Sequence, residues 1–167
     1  MSNDNKSIFF ESRTSVEQVE EGTSLAPKFN NEGLIPVTTS EWGSGLVLMM
    51  GFMNNDALIL TIESGFAHYW SRSRKKIWKK GETSGMYQSV KDLRIDDDQD
   101  AIWMQVELAG DQASCHVGYK SCFYRAIPIG KGPVELQFKE TEKVFDPETK
   151  YGEDRKSTRL NSSHRCI

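Results

Sequence analysis

The sequence predicts an α+β domain dominated by strands, a mixed sheet carrying one or two short helices. Three observations predict it. Ala101 to Leu108 alternates, with Ile102, Met104, Val106 and Leu108 on one side, the period of a half-buried strand. Ile35–Thr39 and Leu46–Met50 flank Gly43-Ser44-Gly45, two short apolar runs around a turn, hence a hairpin. Helical patterning is brief by comparison, its clearest stretch being Asp56 to Ser64 between a capping asparagine and Gly65.

In chain order, Met1 to Asn31 is polar and weakly patterned. Ser15 to Glu21 has the makings of a short helix, and the rest reads as a flexible arm. The folded domain is expected over residues 32–153. After the hairpin, Asn54 or Asn55 caps the helix, whose Ala57, Leu58 and Ile62 face packs on the sheet. Ala67 to Ser73 is expected as a strand, Arg74 to Gly85 as a basic loop and Tyr87 to Asp96 as a further strand. Phe123 to Pro128 is expected to close the sheet, with Glu135–Phe138 at an edge.

The last stretch, Asp154 to Ile167, has no hydrophobic period and no turn logic. It reads as the in-frame translation of a short-read sequencing adapter, a scar rather than native protein; a natural basic tail is the alternative. Removing its four basic and one acidic residues from the 21 and 24 of the whole chain leaves an acidic domain. That balance argues against non-specific nucleic-acid binding but permits a local basic pocket. The longest apolar run, Leu46 to Met53, is far too short to span a bilayer, and the first 28 residues lack a signal-peptide core. A cytoplasmic protein with no membrane partner is expected. In that reducing compartment Cys115 and Cys122 suit metal or thiol roles better than a disulfide.

Three constellations carry chemistry. Asp96, Asp98 and Asp100 occupy alternate positions; in a strand they would share one face, and three crowded carboxylates call for a hard cation. A solvated acidic turn is the plain alternative. A helix–loop–helix calcium site is argued against by Ala101, which stands where its sharp turn needs glycine. Cys115, with His116 beside it, and Cys122 offer soft donors suited to zinc, although six intervening residues is a loose spacing and buried inert cysteines would look the same. The third is the segment from His68 to Gly85, six cations interleaved with Trp70, Trp78 and four hydroxyls. It can bind phosphate while an aromatic stacks on a base, or be a solvated basic loop.

Together these segments resemble phosphoribosyl-AMP cyclohydrolase, an enzyme family of histidine biosynthesis. The likeness runs through Gly33 to Pro36, His68 to Arg74, Trp78 to Gly85, the aspartate run, Ser114 to Tyr119 and Ser121 to Arg125. It implies an intertwined homodimer with its active sites at the interface. It also implies hydrolytic opening, between N1 and C6, of the adenine ring of the nucleotide N1-(5-phosphoribosyl)-AMP. The implied magnesium ligands are Asp96, Asp98 and Asp100. The implied zinc ligands are Cys115, Cys122 and a third cysteine reaching across the interface, at whose position this chain has Asp97. Strand alternation would turn Asp97 away from its neighbours, and a carboxylate can still ligate zinc. His116 is the expected proton carrier, with Glu82 second. Trp70, Ser71, Arg72, Ser73, Arg74, Lys79 and Lys80 are expected to hold the substrate. Met86 is a further departure, where the resemblance leads one to expect a polar residue or histidine.

Two other readings remain open at this level. One is a zinc- or nucleotide-binding homologue whose catalysis is impaired by Asp97. The other is a nucleotide deaminase, weighed against by the lack of an H-x-E motif followed by a close cysteine pair.

Overall fold

The computed structural model describes residues 7–152; the expected adapter-derived segment lies outside them. The elements run α1 (Val16–Glu20), β1 (Ile35–Glu41), β2 (Val47–Met53), α2 (Asn55–Ser64), β3 (His68–Ser71), β4 (Lys76–Lys79), β5 (Gln88–Ile95), β6 (Ile102–Leu108), β7 (Arg125–Ala126), β8 (Gln137–Phe138) and α3 (Pro147–Tyr151). Strands dominate, and the three helices are short, as expected of a mixed α+β domain. The main sheet has the order β2-β1-β6-β5. It is mixed because β1 and β6 are parallel while both outer pairs are antiparallel. No helix of the described residues is long and apolar enough to cross a membrane.

The core lies on one face of this sheet. Ile35, Val37 and Thr39 alternate inward on β1, and Ile102, Met104 and Val106 do so on β6. The neighbouring inward residues on β2 are Met53, Gly51 and Met49. Gly51 has a packing reason: a Cβ there would stand 2.8 Å from the Tyr69 ring, inside van der Waals contact. Its absence lets the β3–β4 hairpin lie against the sheet with Tyr69 fully buried. Helix α2 completes the layer. Asn54 caps it by accepting the Ala57 amide at 2.8 Å, and Gly65 ends it in the left-handed conformation, both as the sequence indicates. Its buried residues are Ala57, Leu58 and Thr61, however, and Ile62 is exposed. Thr61 takes the place expected of Ile62 because its hydroxyl bonds the Ala57 carbonyl and receives the His68 amide.

Three expectations are corrected. The expected basic loop contains strand β4, which pairs with β3 from His68↔Lys79 to Ser71↔Lys76. Phe123 to Pro128 does not close the main sheet; Arg125–Ala126 pairs only with Gln137–Phe138 in a separate ribbon. The described part of the N-terminal segment is not a detached arm. Ser15 caps α1, Val19 and Ala26 are buried, and Phe10 and Phe29 pack on the core.

Candidate active site

The aspartates occupy the connection between β5 and β6. That strand ends at Ile95, so the residues after it do not alternate: 97–100 curl into a turn closed by Gln99 N–H donating to the Asp96 carbonyl at 3.1 Å. The expected strand pattern fails because the Asp96 carboxylate caps the turn, accepting the amides of Asp100 and Ala101 at 2.9 and 3.0 Å. The carboxylates still converge. Asp96, Asp97 and Asp98 each offer an oxygen within 4.8 Å of the others. Asp100 joins them, its proton affinity raised by lost hydration and then by the negative charges of Asp98 and Asp96. Asp97 therefore gathers with its neighbours instead of facing away. Such an all-oxygen set fits a hard divalent cation.

Cys115 and His116 lie on a loop bound tightly to the sheet. Its ends meet where Ser114 N–H donates to the Lys120 carbonyl at 2.8 Å. Cys122 N–H donates to the Leu48 carbonyl at 2.7 Å, and the Ser121 hydroxyl to the Val47 carbonyl at 2.7 Å. Glu140 secures the loop from outside by accepting the amides of Lys120 and Ser121. Cys115 is buried and Cys122 half-buried. Two sulfur donors on one short loop suit zinc chemically. Among the described residues, though, no third donor gathers with them within 4.8 Å.

His116 opens into a cavity of about 260 Å³ lined also by Arg74, Trp78, Lys80, Thr83, Ser84, Ser114 and Tyr151. The turn before β4 and the residue after it build its cationic wall around Trp78, with the Lys80 ammonium 5.4 Å and the Arg74 guanidinium 5.8 Å from the Trp78 ring centroid. Lys80 is 7% exposed, and its ammonium donates to the Ser114 carbonyl at 2.8 Å. From the core, Tyr69 donates to Gln88 Oε1 at 2.7 Å and Gln88 Nε2 donates to Ser114 Oγ at 3.0 Å. Thr39 Oγ1 lies 2.7 Å from the Tyr69 hydroxyl, and burial drives the proton affinity of that phenol far up. Gly81 turns the chain after β4 at φ +89°, where a Cβ would come within 2.4 Å of the Tyr87 amide nitrogen.

Of the expected substrate residues, Arg74 and Lys80 line this cavity and the others do not. The Ser71 hydroxyl instead receives the Arg74 amide and Nε, shaping the β3–β4 turn, and lies 3.4 Å from Ser73 Oγ. Arg72 stacks over Phe52 at 4.3 Å. Lys79 points to the opposite face of β4, over Phe66 and Tyr87. Trp70 pairs with Ile77 on that same face. Glu82 is exposed on the turn beyond and is not part of the lining. The sequence places Trp78, Thr83 and Ser84 within the candidate nucleotide-binding segment but does not single them out, and Ser114 and Tyr151 it does not suggest as lining at all. For Trp78 a signal existed: alternation within Lys76–Lys80 puts it beside Lys80. Met86 is fully buried behind the loop.

Comparison with known proteins identifies the family. The family model described as phosphoribosyl-AMP cyclohydrolase matches residues 49–124. A relative of that name from Rhizobium etli is 50% identical over 134 residues, 80% of this chain and 89% of its own. One from Rhizobium leguminosarum bv. trifolii is 48% identical over 145 residues, 87% of this chain and 97% of its own. One from Brucella canis is 51% identical over 130 residues, 78% of this chain and 94% of its own. On that extent and identity, the chain belongs to the phosphoribosyl-AMP cyclohydrolase family.

Proposed function

We propose that this chain opens the adenine ring of N1-(5-phosphoribosyl)-AMP by hydrolysis, a cytoplasmic step of histidine biosynthesis. The observation that carries the reading is the cavity joining His116 to Arg74, Trp78 and Lys80, in a chain whose relatives bear that enzyme's name. Substitution at N1 leaves the purine ring cationic and C6 electrophilic. Water adds at C6, the N1–C6 bond breaks, and a proton ends on N1. His116 accepts a proton from the attacking water and returns it to the departing nitrogen. Arg74, Lys80, Thr83 and Ser84 supply charge and hydrogen bonds for phosphate. Trp78 offers a flat wall to the base.

Asp96, Asp98 and Asp100 are the residues that would hold magnesium, which would supply positive charge for ordering a substrate phosphate. Cys115 and Cys122 would hold zinc together with the partner's Asp97, in a homodimer. Zinc at that position supplies Lewis acidity that brings deprotonation of water into the neutral range. Asp97 gathers with the turn's carboxylates and not with the cysteines of its own chain, in keeping with a ligand delivered to a neighbour. The outer sheet face supports the dimer. Met50, 36% exposed, and Trp103, 41% exposed, flank Thr38 in register across three strands, an apolar row that a second copy would cover.

The test is product analysis after incubating the chain with N1-(5-phosphoribosyl)-AMP, zinc and magnesium. The expected product is heavier by one water with no ammonia released. Ammonia release identifies a deaminase instead. A folded, zinc-loaded chain with no product favours the impaired homologue, for which the specific observation is the carboxylate at position 97.

A further inference from the structure

We propose that residues 19–28 are a strap that holds the aspartate turn in its cation-binding shape, with Gln99 as the positioning residue between them. The inference rests on the reading that these aspartates bind a hard divalent cation. Gln99 sits between Asp98 and Asp100, is 5% exposed, and has φ +58°. A left-handed conformation disfavours any residue but glycine, with asparagine or aspartate the usual exceptions. Glutamine has no short side chain to offset that cost locally, so the conformation must be imposed from outside.

The strap imposes it. Gln99 Oε1 accepts the Ala26 amide at 2.8 Å, and Nε2 donates to the carbonyls of Val19 at 2.9 Å and Ser24 at 3.1 Å. The Lys28 amide donates to the Gln99 carbonyl at 2.7 Å. Four bonds thus join one turn residue to four strap residues more than 70 positions away. The strap is itself anchored, by Glu11 N–H to the Leu25 carbonyl at 2.8 Å and by Arg13 to the Ala26 carbonyl at 2.8 Å. Strap and turn also face each other across a cavity of about 320 Å³ that Asp96 and Asp97 line together with Thr23 and Ser24.

The consequence is geometric. Rotation about Gln99 re-aims the two carboxylates that flank it, while repulsion among the four aspartates favours opening the turn. A cation site is only as tight as its ligands are pre-aimed. The strap therefore sets metal affinity without contributing a ligand.

The experiment measures Mn²⁺ affinity by electron paramagnetic resonance on the full-length chain and its Asp98→Asn, Gln99→Ala and Gln99→Gly variants, with thermal melts alongside. The chain is expected to bind Mn²⁺ and Asp98→Asn to abolish that binding. Both Gln99 variants should bind roughly 10- to 100-fold more weakly. That holds even for glycine, which relieves the backbone cost; the melting temperature should fall in both, because the Ala26 amide and the Val19 and Ser24 carbonyls lose a partner, so affinity is read below the melt on folded protein. Gln99→Asn, which tolerates the left-handed backbone but is one methylene shorter than the side chain that reaches the strap, should weaken Mn²⁺ in the same direction and serves if Gln99→Ala or Gln99→Gly does not fold. Wild-type affinity in the Gln99 variants overturns the strap and leaves the cation reading standing. Absence of Asp98-dependent Mn²⁺ binding in the unaltered chain overturns both.

Discussion

The Lys80 ammonium donates to the carbonyl oxygen of Ser114 at 2.8 Å, tying the cationic wall that flanks β4 to the residue that precedes Cys115 and His116. Without this contact the two halves of the cavity belong to loops more than 30 residues apart. The buried ammonium also lines the cavity, where it can meet an anionic group of a bound nucleotide. Replacing Lys80 with Met keeps the length and removes the charge. We expect kcat/KM to fall by roughly 10- to 100-fold, about 1.4–2.7 kcal/mol, mainly through KM in steady-state kinetics.

Gln88 joins Tyr69 to Ser114 with no exposure to water. Gln88→Leu removes the acceptor of the Tyr69 hydroxyl, which keeps only Thr39, and the donor to Ser114 Oγ. The expected loss is about 1–3 kcal/mol of stability in urea unfolding. Gln88→Glu should lose at least as much near neutral pH, because a buried carboxylate must be desolvated or protonated.

Glu41 connects β1 to the cysteine loop through Lys120 at 2.6 Å. Burial raises the proton affinity of its carboxyl. Hydrogen bonds from Lys120 and Ser44, together with the Lys120 charge, outweigh that and hold it below its ordinary value near 4.5. A lowered folded-state value stabilises the fold above the unfolded value, and the contribution is lost as pH falls through the folded value. Glu41→Gln should therefore melt below wild type at pH 7, and the difference should shrink as pH falls below about 4.5. A constant difference across that range would contradict the assignment.

His116→Ala should lower turnover by roughly 100- to 10,000-fold while zinc content stays as in wild type. Metal analysis beside kinetics checks it, since loss of zinc would point to a ligand role instead.

Asp97→Cys exchanges a hard donor for a soft one. Zinc affinity should rise, on the order of ten-fold or more, in a competition titration with a chromophoric chelator. Unchanged affinity would remove position 97 from the zinc site.

The sequence was most legible where local physics decides. Asn54 and Gly65 bracket α2 because capping and a left-handed stop need no tertiary help, and Ile102 to Leu108 alternates because one face of β6 meets the core. It was least legible where distant residues decide. Asp96 to Asp100 look like a strand continuing β5 until the Asp96 carboxylate caps the turn and strap carbonyls and amides claim Gln99. Residues 7–31 look detached because their anchors are Val19, Ala26 and main-chain groups, which leave little hydrophobic signal. Strand β4 was hidden by its lysines, which are tolerated because Trp78 and Ile77 supply its apolar contacts. Among the site residues, the expectation grouped Asp96, Asp98 and Asp100 and turned Asp97 away, whereas the turn brings Asp97 together with Asp96 and Asp98. Of the basic segment, Arg74 and Lys80 reach the cavity and Arg72 and Lys79 do not, a difference of facing direction, which also separates Trp78 from Trp70 and which charge alone does not carry.

The most direct test of the central claim is steady-state opening of N1-(5-phosphoribosyl)-AMP followed by ultraviolet absorbance, in metal-stripped and zinc- and magnesium-reconstituted chain. The account predicts turnover that appears on reconstitution and disappears on stripping, with His116→Ala suppressing it. A folded, metal-loaded chain that leaves the purine spectrum unchanged would contradict it.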